Sequence, residues 1–212
     1  MIVRNFFVFE GIDGTGTTTQ LKLIKERFLR EENEGRELIV TCEPTTGPIG
    51  ALIRRGLSGE YRFTADTMAR LFAADRGEHI YGSDGILEQT KAGKTVISDR
   101  YLFSTLAYQG SAGDPQLAEQ LNAEFPLPEY LFYFDLDADA AMNRVEKRNA
   151  RLEIYEKREF QRILRNRYAS ILEHYRIEHP EMKIVVIDAS LGIQEISEKI
   201  WSIIRNKPII ET

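Results

Sequence analysis

The segment Gly11-Ile12-Asp13-Gly14-Thr15-Gly16-Thr17-Thr18-Thr19-Gln20 matches the phosphate-loop pattern G-x-x-x-x-G-K-[ST] at every defined position but one, since Thr17 stands where the pattern has lysine. Glycines at 11, 14 and 16 let the backbone curl into a ring of N–H donors. The helix starting near Thr17 turns its positive end toward the same point, so a phosphate can be held there without the lysine. Thr18 occupies the hydroxyl position that ligates Mg²⁺. A second segment, Thr95-Val96-Ile97-Ser98-Asp99-Arg100-Tyr101, reads as a strand ending in an acid and a guanidinium. Asp99 could hold Mg²⁺ or its water and Arg100 could grip a phosphate bidentately, or the two could simply pair with each other. Ligands of open α/β sheets sit outside the carboxyl ends of the strands, so both segments are expected to face one crevice. A third candidate is the basic stretch holding Arg144, Lys147, Arg148, Arg151, Lys157, Arg158, Arg162, Arg165 and Arg167, interleaved with Glu146, Glu153, Glu156 and Glu159. Taken alone it reads as a solvated helix face.

These residues need a scaffold, and the apolar pattern supplies one. Phe6 to Phe9, Leu38 to Val40, Thr95 to Ile97, Tyr130 to Phe134 and Lys183 to Ile187 are short continuous runs rich in β-branched and aromatic residues, as expected of strands buried on both faces. Helical stretches separate them: Thr18 to Glu34, Ile49 to Leu57, Ala65 to Ala92, Pro115 to Glu124, Asp139 to Arg148, Lys157 to Glu178 and Ile193 to Arg205. Strands alternating with helices predict a doubly wound α/β fold with a parallel sheet. No repeat, low-complexity tract or composition break divides the chain, so residues 1–212 are expected to form one domain.

Composition narrows the partners. The chain has 212 residues, 28 Lys+Arg against 33 Asp+Glu, and a net charge of -5, so no basic field favours nucleic acid or an anionic membrane. No apolar run approaches the ~18 residues of a membrane span. The single cysteine, Cys42, cannot form an internal disulfide and fits a reducing cytoplasm, and with three histidines it makes no zinc-ligand spacing.

Taken together the motifs resemble the thymidylate kinases, P-loop nucleoside monophosphate kinases that phosphorylate dTMP to dTDP. The resemblance is carried by Phe9-Glu10-Gly11-Ile12-Asp13-Gly14 with Thr19-Gln20, by Glu43-Pro44-Thr45, and by Leu71-Phe72-Ala73-Ala74-Asp75-Arg76. Further along come Asp99-Arg100-Tyr101 with Ser104, Ala107-Tyr108-Gln109-Gly110, and Arg151-Leu152-Glu153 ahead of Phe160 and Tyr168. It spans nearly the whole chain and implies a P-loop-type five-stranded parallel sheet with helices on both faces and a mobile basic lid over about 144–158. It also implies ATP as phosphoryl donor with Mg²⁺, a homodimer, and residence in the cytoplasm.

Carried over residue by residue, the resemblance puts Gly11, Gly14, Thr15, Gly16, Thr17, Thr18, Thr19 and Arg144 around the donor nucleotide, with Thr18 and Asp99 at the metal. Phe72 becomes the ring that stacks on thymine and Arg76 the donor to the base carbonyl edge. Arg100 would hold the acceptor phosphate, with Asp13 near that phosphate or the sugar 3′-hydroxyl. Glu43, Ser104, Tyr108 and Gln109 complete the acceptor pocket. No basic side chain stands at Gly14-Thr15, so the catalytic cation resembles the lid-supplied kind, chiefly Arg148 or Arg151, acting with Asp13 and Arg100. Thr17 for lysine, and Cys42 where many relatives carry arginine, are departures. They leave room for a weak or inactive nucleotide-binding relative, or for a P-loop kinase with another acceptor.

Overall fold

Phe6, Phe7, Val8 and Phe9 have no solvent exposure, because the strand they form runs through the middle of the molecule. The computed structural model describes residues 1–30, 37–147 and 154–206. Its strands are β1 (Ile2–Gly11), β2 (Leu38–Cys42), β3 (Thr95–Asp99), β4 (Leu127–Asp135) and β5 (Lys183–Asp188). They make one sheet in the order β2-β3-β1-β4-β5, with every pairing parallel. The helices are α1 (Thr17–Arg30), α2 (Pro48–Leu57), α3 (Ala65–Tyr81), α4 (Ile86–Lys91) and α5 (Leu102–Ala112), followed by α6 (Pro115–Asn122), α7 (Ala138–Glu146), α8 (Ile154–Glu178) and α9 (Ile193–Ile204).

The register places the chemistry. Phe9 lies opposite Asp99 and Cys42 opposite Asp99, so β1, β3 and β2 end level with one another. The residues that follow them, the glycine-rich loop, Arg100 and Glu43, are delivered to one edge. β1 is also where the chain order reverses, with β3 on one side and β4 on the other. That is the crevice in which such sheets bind ligands.

Two differences from the sequence reading have local causes. The helix expected over 65–92 is two helices, α3 and α4, broken at Gly82-Ser83-Asp84-Gly85. A Cβ on Gly85 would sit 2.7 Å from the Gly82 carbonyl oxygen, and Asp84 adopts a left-handed backbone with φ 59°. The break therefore depends on tight glycine turns that helical periodicity does not register. Helix α5 was not anticipated. Leu102, Phe103, Thr105, Leu106, Ala107 and Gly110 are all buried, so no polar stripe marks it as a helix. Among the described residues, no helix is long and apolar enough to cross a membrane.

Candidate active site

The loop between β1 and α1 takes its shape from glycine. Gly14 and Gly16 have φ of 90° and 98°, a region that side-chain-bearing residues rarely enter. A Cβ on Gly14 would lie 2.3 Å from the backbone oxygen of Ala141 in α7. Thr15 seals the inside of the loop, its hydroxyl donating to the Ile12 carbonyl at 2.9 Å. The Gly16 carbonyl accepts from the N–H groups of Thr19 and Gln20, which leaves the earlier amides at the start of α1 turned to the loop's mouth. Gly14→Ala combines a strained backbone with a backbone clash. It is expected to weaken ATP binding on the order of tenfold or more, measured by fluorescence titration.

At the same edge Thr17 and Thr18 both set their hydroxyls on the Asp99 carboxylate, Thr18 Oγ1 donating to Oδ2 at 3.2 Å. Burial pushes the Asp99 carboxyl up, while nearby Arg100 and the two threonine hydroxyls pull it back. A partly buried carboxylate beside a hydroxyl, both oxygen donors, is a hard-cation pair of the kind Mg²⁺ selects. Asp99 and Arg100 do not pair with each other. Arg100 turns away, Nη2 donating to Asp13 Oδ1 at 2.6 Å and Nη1 to Ser104 Oγ at 3.1 Å. Its guanidinium lies 5.1 Å from the centre of the Tyr108 ring. Tyr108 in turn donates to Asp13 Oδ1 at 3.2 Å, and burial pushes its phenol up to about 12, so it stays a neutral donor.

Arg100 and Asp13 form the inner rim of a cavity of about 250 Å³ whose walls include Glu43, Pro44, Phe72, Ser104, Tyr108 and Gln109. Arg76 is placed differently from the others. It has no exposed surface and does not line that cavity. Its Nε and Nη2 donate to Glu43 Oε2 at 3.0 and 2.6 Å, Nη2 also to Thr105 Oγ1 at 3.1 Å, and Nη1 to Asn122 Oδ1. Five N–H groups make four such bonds, leaving one Nη1 hydrogen without a partner among the described residues. The other Glu43 oxygen, Oε1, bonds His79 Nδ1 at 3.1 Å. Arg76 therefore clamps Glu43 into the cavity wall from behind.

Comparison with known proteins identifies the family. The thymidylate kinase family model matches residues 9–200, which includes the glycine loop, Asp99, Arg100 and every residue lining the cavity beside Arg100. The chain belongs to the thymidylate kinase family. A Treponema pallidum protein bearing a thymidylate kinase name is 43% identical over 199 residues, covering 94% of each chain. Proteins named probable thymidylate kinase from Thermococcus kodakarensis and Pyrococcus horikoshii are 39% and 37% identical, covering 94% and 95% of this chain and 96% of each relative. Membership makes the chain a kinase of the nucleoside monophosphate class and gives the sheet a family precedent.

Within that family frame, the basic stretch divides. Arg144 Nη2 donates to the Ala189 carbonyl at 3.0 Å. The two residues share a cavity of about 200 Å³ with Gly14, Gly16, Leu191, Ile193 and other residues on the outer side of the loop. Arg158 binds Asp139, Asn143 and Glu146, and Arg162 binds Asp139 and Glu159, so these two tie α7 to α8. Arg165 grips Asp135 with Nε and Nη2 at 2.7 and 3.0 Å. Arg148 and Arg151, the lid cations of the sequence reading, lie outside the described residues, within 148–153.

One site residue escapes the motif reading, and two more enter it only as motif members without a role. Gln161, on α8, reaches Asp13 with both ends of its amide: Oε1 accepts from the Asp13 backbone N–H at 3.2 Å and Nε2 donates to Oδ2 at 3.2 Å. Tyr168 and Glu10 lie beneath Ser104. Nothing in their spacing connects these two.

Proposed function

We propose that this chain transfers the γ-phosphoryl group of ATP to dTMP, giving dTDP and ADP. The observation supporting it most directly is the Arg100–Asp13 pair, which stands between the glycine loop on one side and the cavity holding Phe72, Tyr108 and Gln109 on the other. A phosphate entering there meets a guanidinium already turned toward it. Asp13 is half exposed and gives up part of its hold on Arg100 to the phosphate, becoming available to the sugar 3′-hydroxyl. Phe72 offers a flat apolar face to thymine. Tyr108, fixed by its bond to Asp13, crowds the position of a ribose 2′-hydroxyl. Arg76 keeps Glu43 in the wall.

On the donor side the loop amides cradle the ATP phosphates, and the cavity beside Arg144 and Ala189 takes the adenine end. Thr18 and Asp99 would hold Mg²⁺, which when bound supplies charge neutralisation between the phosphates. Phosphoryl transfer needs chiefly positioning and charge stabilisation. With threonine at 17, the cations for this are Arg100 and those of the lid, Arg148 and Arg151. The homodimer and cytoplasmic setting implied by the resemblance belong to the same reading.

The test is ADP release with ATP, Mg²⁺ and each of dTMP, dUMP, UMP, dCMP and AMP. dTMP is expected to be the best acceptor. dUMP should be slower by about tenfold or more for its missing methyl group, since one such group in an apolar pocket is worth ~1–3 kcal/mol. UMP should be poor. Efficient turnover of dCMP or AMP would overturn the acceptor assignment, and no transfer to any of them would leave a nucleotide-binding relative.

A further inference from the structure

Glu10 has no solvent exposure and sits in the central strand, one residue before the glycine loop. Its four side-chain hydrogen bonds all run to the start of α5 and to α8. Oε1 accepts from the backbone N–H of Tyr101 at 2.9 Å and of Ser104 at 3.1 Å. Oε2 accepts from Ser104 Oγ at 2.7 Å and Tyr168 Oη at 2.9 Å. Helix α5 starts after Tyr101, whose side chain makes no capping bond. Ser104 is the third helical residue, whose N–H a capping side chain would ordinarily satisfy. A carboxylate at a helix N-terminus is also favoured by the helix dipole.

The residue just before this turn is Arg100, held at φ 71°, a costly conformation for a side-chain-bearing residue. β1 holds it from two sides. Its backbone N–H donates to the Phe9 carbonyl at 2.9 Å, and its Nη1 donates to Ser104 Oγ, whose single proton goes to Glu10.

We propose that Glu10 is a positioning residue for Arg100: from β1 it supplies the cap that α5 lacks and, through Ser104, sets the guanidinium toward Asp13 and the acceptor cavity. The inference rests on Arg100 holding the acceptor phosphate.

A consequence in pH separates this from a purely structural role. Burial pushes the Glu10 carboxyl up to about 7, against Arg100, Ser104, Tyr168 and the Tyr101 amide, which pull it down. The other titratable groups facing this cluster are Asp13 on the glycine loop, Tyr108 on α5, Tyr133 on β4 and Tyr168 on α8. A phosphate bound at Arg100 offsets the guanidinium's pull on Glu10 and raises its proton affinity. By linkage the protonated form then binds phosphate better. Below about pH 7 Glu10 is neutral and does not repel the phosphate; above it Glu10 is ionised and does. Oε1 faces two N–H donors, so the proton resides on Oε2, where Ser104 and Tyr168 can accept it.

Calorimetric titration of dTMP into wild type, Glu10→Gln and Glu10→Ala at pH 6 and 8, with ATP titrated in parallel, tests this. Glu10→Ala is expected to lose about tenfold in dTMP affinity, the size of one charge-assisted bond, with ATP affinity little changed. Glu10→Gln is neutral throughout. The ratio of wild-type to Glu10→Gln Kd for dTMP should rise from about one at pH 6 to about threefold or more at pH 8, corresponding to half a pKa unit. Ionisation of dTMP itself is common to both proteins and cancels. Wild-type dTMP affinity in Glu10→Ala, or the same pH dependence in wild type and Glu10→Gln, overturns the proposal. Should Glu10→Ala not fold, the Glu10→Gln comparison decides alone. A wild type that binds no dTMP takes down the acceptor reading and this inference together. Intact wild-type binding with indifferent variants takes down only this one.

Discussion

Arg100→Ala is expected to lower kcat/KM for dTMP by on the order of 10³-fold, the scale of removing a preorganised charge contact to a transferring phosphoryl acceptor. The side chain makes two bonds within the site, to Asp13 and Ser104, and lies over Tyr108. Its loss therefore removes the phosphate grip and leaves Asp13 without its cation. Asp13 keeps its two bonds to Gln161, so the loop should hold its shape and the KM for ATP should change little. Arg100→Lys restores charge but neither the fork nor the bond to Ser104, and should recover only part of the loss. Steady-state kinetics with each substrate varied in turn checks this. Equal losses in the KM of ATP and dTMP would mean that Arg100 serves the fold of the crevice and not the acceptor.

Much of this site could be read before the fold, for a physical reason. Asp13, Thr18, Asp99 and Arg100 lie at or shortly after the ends of β1 and β3, and parallel pairing of two buried strands brings such positions together almost automatically. The level register of Phe9, Cys42 and Asp99 is what the alternation of buried runs and helices implied. Contacts made by packing helices onto that sheet were not readable. Asp13 meets Gln161 across 148 residues, and Glu10 meets Tyr168 across 158. No periodicity encodes either pairing.

Arg76 shows the same limit in another form. Its place in the Leu71 to Arg76 segment suggests a base-reading donor. Its partners Glu43, Thr105 and Asn122 come from three other elements, and their convergence turns most of the guanidinium inward. In the fold itself, the Phe6 to Phe9 run was legible, but the start of β1 at Ile2 was hidden by Arg4 and Asn5. Asn5 takes φ 61° where the pairing with β4 shifts register between Val3 and Phe7, a bulge that polar residues mask.

The other large effect is expected at Asp99. Asp99→Asn should lower kcat by on the order of 10²-fold or more, because the charge that would hold a cation at the phosphates is gone, and excess chelator should abolish transfer by the wild type. Three features make the variant informative. Asparagine is nearly isosteric and can still accept from Thr18 Oγ1, now 3.2 Å from Asp99 Oδ2, so the end of β3 keeps its bond to α1. Asp99 does not line the acceptor cavity, so dTMP affinity should survive. Burial raises the Asp99 carboxyl, meaning that its charge is held at a cost in the absence of a cation. Asp99→Asn should therefore match or exceed the wild-type Tm measured without Mg²⁺, and should lose the Tm increase that Mg²⁺ and ATP give the wild type. A fall in Tm alongside the fall in kcat would mark Asp99 as a structural acid at a strand end. Wild-type kinetics for Asp99→Asn, or full activity in chelator, would remove the metal from this edge of the sheet. Retained stability and dTMP binding with lost kcat would leave Asp99 one role, holding the cation against the phosphates.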